Sequence, residues 1–233
     1  MPSVLRVESV EYRWPKDQAN TLDIPEFAID VGQDTFLMGP SGSGKSTLLN
    51  LVSGVITPNS GSIFIRDIDI AQPAATARDR IRADAIGYIF QQFNLIPYLS
   101  ALENVLLPCQ FSQTRRARSV NRAQSPHENA MSLLNGFFGD HPPNFNKPVT
   151  NLSVGQQQRV AAARALIGAP SLIIADEPTS ALDQEAKGRF MELLLSECDQ
   201  QGSTLLFVSH DPDLAKHFPK SVKMSEINKI ERP

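Results

Sequence analysis

The chain is poor in cysteine, lacks long apolar runs and carries no excess of positive charge. Its two cysteines, Cys109 and Cys198, make neither a disulfide framework nor a zinc-binding pattern, and we expect both to be reduced thiols. No apolar run approaches the roughly 20 residues of a membrane span. A net charge of −3 excludes a global basic field for nucleic acid. The first ten residues also lack the charged and apolar segments of a signal peptide.

Strand and helix patterns alternate through most of the 233 residues. A weakly alternating stretch at 4–11 predicts an opening strand, and 35–38 is a short buried strand that precedes a helix at 45–52. After residue 155 the order is helix from Gln156, strand 171–176, helix 184–200, strand 203–209 and a short helix from Asp211. This rhythm predicts an α/β fold with a mostly parallel, doubly wound sheet.

Residues 93–154 have a different, helical character. Ser100 and Glu103 form a capping box before a helix that we expect to stop at Pro108, and Ser125 with Pro126 opens a second helix. The segment 114–119 between them and the segment 141–144 after them are predicted as loops. We therefore divide the chain into a core, 1–92 and 155–233, and a helical lobe, about 93–154.

Four arginines cluster in and just after the first of those loops. They are Arg115, Arg116, Arg118 and Arg122. Docking on anionic lipid headgroups or on a protein partner is one interpretation. A solvated loop is the favoured one.

A complete phosphate-loop motif follows the strand at 35–38. It consists of Gly39, Pro40, Ser41, Gly42, Ser43, Gly44, Lys45 and Ser46. Glycines let backbone N–H groups approach phosphate, and the helix N-terminus adds a positive dipole end. Lys45 is predicted to reach the β- and γ-phosphates of ATP, and the Ser46 hydroxyl to bind Mg²⁺.

A second apolar strand ends in two carboxylates, Asp176 and Glu177. In open α/β sheets, ligands bind at the carboxyl ends of the strands. Asp176 is therefore predicted to hold Mg²⁺, and Glu177 to orient and deprotonate the attacking water. The alternative is that the two acids only cap a helix at a strand-to-helix turn.

The chain resembles the ATPase subunits of ABC transporters. The resemblance rests on the phosphate loop, the Asp176–Glu177 strand end, the following segment to Asp183, and a Leu152-Ser153-Val154-Gly155-Gln156 stretch similar to the family's signature motif. It covers nearly the whole chain and implies a P-loop fold with a RecA-like sheet, an N-terminal antiparallel β subdomain and an inserted helical lobe. Residues 89–105 resemble the branch that includes lipoprotein-release, macrolide-export and cell-division ATPases.

The resemblance also implies roles for single residues. Gln91, or alternatively Gln92, stands where the family has a glutamine that binds the metal's water shell. His210 matches a histidine that contacts the γ-phosphate. In the phosphate loop itself, Thr47 is predicted to meet the α-phosphate. Trp14, with Tyr12 as its competitor, stands where an aromatic ring stacks on adenine. For His127, His141 and His217 the pattern favours ordinary surface histidines.

The signature implies a site shared between two subunits. In this family Ser153, Gly155 and Gln156 of one subunit would meet the γ-phosphate bound at Lys45 of the other, and Asp183 would lie at the dimer contact. Val154 replaces the family's usual second glycine. Because a β-branched residue resists positive φ, we expect Val154 to have an ordinary negative φ.

The implied function is ATP hydrolysis that powers a separate membrane permease. The partners would be that permease, with a large extracytoplasmic domain, and a second copy or a paralogous ATPase, all at the inner face of the cell membrane. No nucleic acid is expected. The alternatives are an ABC ATPase acting on nucleic acid or ribosomes, and an inactive binding module. The sequence has one copy of each motif and no heptads or Cys pairs, which disfavours the first, and the intact motifs disfavour the second.

Overall fold

The computed structural model describes residues 2–140, 142–180 and 182–230, and in these ranges it contains two β-sheets. The first is antiparallel, with β1 (Ser3–Tyr12), β2 (Leu22–Asp30), β4 (Ser60–Ile65) and β5 (Ile68–Asp69) in the order β2-β1-β4-β5. The second has β3 (Thr35–Met38), β6 (Ile86–Ile89), β7 (Leu172–Asp176), β8 (Thr204–Ser209) and β9 (Lys220–Lys223) in the order β6-β7-β8-β3-β9. All pairs in the second sheet are parallel, which confirms the predicted α/β architecture.

Eight α-helices occur in the described ranges. They are α1 (Lys45–Val52), α2 (Ala75–Ala85), α3 (Ala101–Phe111), α4 (Gln113–Ala123), α5 (Pro126–Phe138), α6 (Val154–Leu166), α7 (Gln184–Gln201) and α8 (Met224–Ile227). Two 3₁₀ turns span Val149–Asn151 and Pro212–His217. None of the helices in these ranges is both long and apolar enough to cross a membrane.

Two apolar clusters hold the layers together, one on each face of the parallel sheet. The first joins the antiparallel sheet and α1 to side chains such as Leu172, Ile174 and Leu206. The second joins α3, α5, α6 and α7 to the opposite face, through Ile173 and Phe207 among others. The helices of residues 101–138 thus share their core with α6 and the sheet. The division at residues 92 and 155 stays a prediction.

Several local predictions were wrong. The arginine-rich segment is a helix, α4, and not a loop, because Ser112 caps it by accepting a hydrogen bond from the backbone N–H of Arg115 at 3.0 Å. It is not uniformly solvated either, because Arg115 is buried and donates to the carbonyls of Ile167 and Ala165. α3 continues past Pro108 to Phe111. His141 and Ala181 lie outside the described residues.

The helix α2 was not predicted. It has no buried residue, so its sequence shows no apolar face for periodicity to detect. β6 begins at Ile86, directly after α2 ends at Ala85.

Candidate functional site

The parallel sheet brings the predicted motifs to one edge. Its register pairs Asp176 of β7 with Val208 of β8, and Met38 of β3 with Ser209 of β8. The phosphate loop, the two carboxylates and His210 each follow one of these strand ends. Gln91 follows β6, which lies beside β7. Four separate motifs therefore meet at the carboxyl edge, where α/β sheets bind ligands.

The phosphate loop is open where phosphate would lie and tight elsewhere. Gly42 and Gly44 have φ values of 79° and 100°, a region that favours glycine. A Cβ on Gly44 would come within 2.6 Å of the Leu22 side chain, and one on Gly39 within 2.7 Å of Ser43 Oγ. Ser43 Oγ is buried and has no hydrogen-bond partner among the described residues. An unpaired buried hydroxyl is costly, so this loop is poised for a polar ligand.

Lys45 points back into this loop. Its Nζ donates to the carbonyl oxygens of Gly39 at 2.6 Å and Pro40 at 2.9 Å, and the residue is buried at the start of α1. An ammonium group has three donors. The loop carbonyls therefore hold the cation in place and leave one donor for an anionic ligand.

The two carboxylates have different surroundings. Burial raises the pKa of Asp176, and the nearby charge of Glu177 raises it further, while Lys45 and a hydrogen bond from Tyr88 act in the opposite direction. Burial beside Asp176 also raises the pKa of the Tyr88 hydroxyl. Two crowded carboxylates at a half-buried strand end create a demand for a cation.

Glu177 is held in an unusual backbone conformation. Its φ is 45°, in the left-handed region that non-glycine residues rarely occupy, and its backbone N–H donates to the Val208 carbonyl at 2.9 Å. Its Oε2 lies 2.6 Å from Nδ1 of His210. The turn after β7 thus aims the carboxylate at the histidine that follows β8. Strain of this kind clusters at functional sites.

A cleft of about 690 Å³ joins these groups. Trp14 lines it, whereas Tyr12 is buried and packs edge-on against the Trp14 ring at 5.1 Å between centroids. Gln91 lines it and Gln92 does not. The predicted residues that line the cleft are Trp14, Ser41, Gly42, Gly44, Lys45, Ser46, Thr47, Gln91, Asp176, Glu177 and His210.

The signature residues are not part of this cleft. Ser153 caps α6, its Oγ accepting from the Gln156 N–H at 3.3 Å while Gln156 Oε1 accepts from the Ser153 N–H at 2.9 Å. Val154 is the first residue of α6, is half exposed at 51% and does not have positive φ, as predicted. A Cβ on Gly155 would meet only Leu182, at 3.8 Å. No contact within the described part of the chain therefore requires glycine at 155.

Sequence reasoning missed three residues of the site. Tyr88 hydrogen-bonds Asp176 from the neighbouring strand. The signal that could have found it is the strand pairing, because Tyr88 of β6 pairs with Ile174 of β7, and Ile174 lies two residues before Asp176. Asp17 and Thr21 line the cleft from the β1–β2 connection, and no motif marks them.

The site has oxygen ligands suited to Mg²⁺. The Ser46 hydroxyl, the Asp176 carboxylate and the Gln91 amide all face the cleft. No cluster of three or more His, Cys, Asp or Glu side chains that could hold a metal occurs in the described part of the chain. Mg²⁺ prefers oxygen ligands and usually keeps several waters with one or two carboxylates, so this sparse donor set fits it.

A glycine-rich loop between a parallel strand and a helix, with an acidic strand end beside it, defines a P-loop nucleotide-binding protein. The family model for "ABC transporter" matches residues 22–180. The uncharacterized ABC transporter ATP-binding protein YvrO of Bacillus subtilis is 37% identical, over 92% of this chain and 89% of that one. The macrolide export ATP-binding/permease protein MacB of Sodalis glossinidius is 37% identical, over 89% of this chain and 30% of that one.

A solved structure is also similar over almost the full chain. It is the dimeric post-hydrolysis state of the ATP-binding cassette MJ0796 bound to ADP and Pi, with a TM-score of 0.79, 34% identity, and coverage of 98% of this chain and 97% of that one. The chain belongs to the ABC transporter family, in which it is an ATP-binding and ATP-hydrolysing subunit. The resemblance to the branch that includes macrolide-export ATPases is confirmed.

Proposed function

We propose that this subunit hydrolyses ATP through the groups gathered in the cleft. Lys45 binds the β- and γ-phosphates, Trp14 stacks on adenine, Glu177 activates water and His210 contacts the γ-phosphate. The single observation that carries this proposal is that all four residues line one cleft, in which His210 Nδ1 lies 2.6 Å from Glu177 Oε2. A histidine at this place can orient the Glu177 carboxylate toward the water that Glu177 deprotonates.

Mg²⁺ is the proposed metal of the reaction. Ser46 and Asp176 would hold it, and Gln91 would bind its water shell. The ion would neutralise phosphate charge as the γ-phosphoryl group transfers to water. Burial of Asp176 and its closeness to Glu177 both raise the pKa of Asp176, and this crowding of acids supports a bound cation there.

The proposed working unit is a head-to-tail dimer of this chain or of this chain with a paralogous ATPase. Ser153, Gly155 and Gln156 of one subunit would cover the γ-phosphate bound at Lys45 of the other. The exposed capping box of Ser153 and the open space around Gly155 support this, because both are accessible and lie outside the cleft of the same chain. A helix N-terminus with free N–H groups suits an anion.

The proposed partner is a transmembrane permease with a large extracytoplasmic domain, and the ATPase would work at the inner face of the membrane. The similarity to MacB, an ATP-binding/permease protein, supports a permease partner. A net charge of −3 supports the absence of nucleic acid from the cycle.

Phosphate release at several protein concentrations tests this function. If the site is shared between subunits, activity per milligram rises with protein concentration and then levels off as dimers fill. Constant activity per milligram across the range would contradict the shared site. In a second arm, detergent-solubilised permease is expected to stimulate hydrolysis, whereas stimulation by nucleic acid alone would favour the alternative partner.

A further inference from the structure

Arg164 near the end of α6 makes both of its short hydrogen bonds outside its own helix. Nη1 donates to the carbonyl of Asn94 and Nη2 to the carbonyl of Phe93, each at 2.6 Å. None of the salt bridges formed among the described residues includes Arg164. Burial lowers the pKa of Arg164 to about 10, so the group is charged at neutral pH. The guanidinium therefore holds two neighbouring carbonyls as a planar fork.

The residues that it holds are strained. Phe93 and Asn94 have φ values of 59° and 47°, two successive non-glycine residues in the left-handed region. Such a conformation costs free energy and persists only where neighbouring groups enforce it. The Phe93 ring is buried in the same apolar cluster as α6, which adds a second anchor. Together, the ring and the fork fix this corner of the chain against α6.

The strained corner completes the turn that carries Gln91. The Phe93 N–H donates to the Phe90 carbonyl at 3.0 Å, which encloses Gln91 and Gln92 in a four-residue turn. The Asn94 N–H donates to the Gln92 carbonyl at 2.6 Å. The direction in which Gln91 enters the cleft is therefore set by a corner that Arg164 holds.

Arg164 is not a simple cap of its own helix. A basic residue in a last turn commonly bonds the final carbonyls of that helix. Here Arg115 takes that place, because its Nη2 donates to the Ala165 carbonyl and its Nε to the Ile167 carbonyl. Arg164 bonds the turn that carries Gln91 and not the end of its own helix.

The same helix begins with the signature residues. α6 runs from Val154 to Leu166, and thirteen residues span about 20 Å of rigid helix. We infer that Arg164 is a positioning residue that couples the Gln91 turn to the signature helix. Gln91 then reaches the ATP of its own subunit at the same time as the signature residues reach the ATP of the other subunit. This inference rests on the proposed function of Gln91 and Ser153 and adds the side chain that connects them.

A double-mutant cycle in the full chain tests the coupling. We expect Arg164→Met to lower kcat by about 10- to 100-fold, because a misplaced group far from the chemistry can cost this much, while the Kd for ATP stays within about threefold. In the Gln91→Ala background the same substitution should cost no further activity. Equal fold losses in both backgrounds would overturn the inference, because Arg164 would then act independently of Gln91. Arg116→Met, an exposed arginine on α4, is the matched control and should leave kcat unchanged.

Hydrogen exchange tests the same inference without relying on turnover. In Arg164→Met the amides of Phe93 and Asn94 should exchange at least about tenfold faster, because their bonds open more often once the corner is released. The amides in the middle of α6 should not change. Unchanged exchange at Phe93 and Asn94 would overturn the inference even if the wild-type chain were inactive, whereas faster exchange in an inactive wild type would contradict only the proposed function. Arg164→Lys, which keeps the charge but not the planar fork, serves if the Met variant does not fold.

Discussion

Nδ1 of His210 lies 2.6 Å from Oε2 of Glu177, although the two residues follow different strands of the parallel sheet. In the proposed reaction, Nε2 of the same imidazole would face the γ-phosphate. The contact fixes the direction of a carboxylate whose backbone is already constrained at a φ of 45°. Glu177 and His210 therefore form one unit in which each residue orients the other.

Removing the histidine should slow hydrolysis without preventing binding. We expect His210→Ala to lower kcat by about 10²-fold, since the loss of one aimed donor in an active site typically costs this much, while the Kd for ATP changes little. His217→Ala is the control, because His217 does not line the cleft. Single-turnover and steady-state phosphate release measure the effect. A wild-type kcat in His210→Ala would contradict the paired role.

Trp14 should contribute to nucleotide affinity through its ring face. Stacking contributes about 0.5–1.5 kcal/mol, so Trp14→Ala should raise the Kd for ATP by about 2- to 12-fold, and Trp14→Phe by less. Tyr12→Leu removes the competing ring and should raise the Kd for ATP by less than Trp14→Ala does, because Tyr12 is buried and only Trp14 lines the cleft. Isothermal titration calorimetry compares the three variants. An effect of Tyr12→Leu larger than that of Trp14→Ala would reverse the assignment.

The ion pair between Lys187 and Asp211 should make stability depend on pH. Lys187 Nζ lies 2.7 Å from Asp211 Oδ2, and this hydrogen bond lowers the pKa of Asp211. A carboxyl whose pKa is lowered by folding stabilises the fold above its ordinary pKa, and this contribution is lost as the pH falls through the lowered value. Lys187→Met should therefore cost about 0.5–1 kcal/mol at pH 7 and less as the pH falls below about 4.

Urea denaturation at pH 7 and below about pH 4 measures how the free energy of unfolding differs between Lys187→Met and the wild type. The control is Arg189→Met on the same helix, whose partner Glu185 is 80% exposed and whose loss should cost less. A cost for Lys187→Met that does not shrink in acid would show that the pair contributes through packing and not through charge.

Arg115 should be among the side chains of α4 that stabilise the fold most. It is buried, which lowers its pKa to about 10, and it donates to the carbonyls of Ile167 and Ala165. Arg115→Met leaves buried carbonyls without donors and should cost about 2–4 kcal/mol of unfolding free energy. The adjacent Arg116→Met should change stability by no more than about 0.5 kcal/mol, because Arg116 is exposed. Equal effects in urea denaturation would contradict this account.

Contiguous motifs could be predicted from the sequence, and contacts between distant residues could not. The phosphate loop and the Asp176 strand end are each encoded within a few residues, and parallel pairing then places them at one edge. The contact between Glu177 and His210 depends on the left-handed backbone at Glu177. A glutamate in the sequence does not predict that conformation. Tyr88 looked like an ordinary strand residue because its hydroxyl partner belongs to another strand.

The arginine cluster shows the same limit, because the sequence alone does not reveal which of its side chains are buried. Residues 115–122 are polar enough to resemble a solvated loop, yet helix C-termini and the loop before β7 offer carbonyls that accept from them. Whether a charge is buried depends on acceptors that come from elsewhere in the chain. Composition alone therefore predicted the wrong surroundings for Arg115.

The most direct test of the account is light scattering of Glu177→Gln with ATP and Mg²⁺. Removing the base should block hydrolysis while leaving binding intact, so the account predicts that this variant accumulates as an ATP-bound dimer. Adding Ser153→Arg should return it to monomer, whereas adding Ser125→Arg, which changes the capping serine of α5, should not. A Glu177→Gln chain that stays monomeric at saturating ATP, or that hydrolyses ATP at the wild-type rate, would contradict the account.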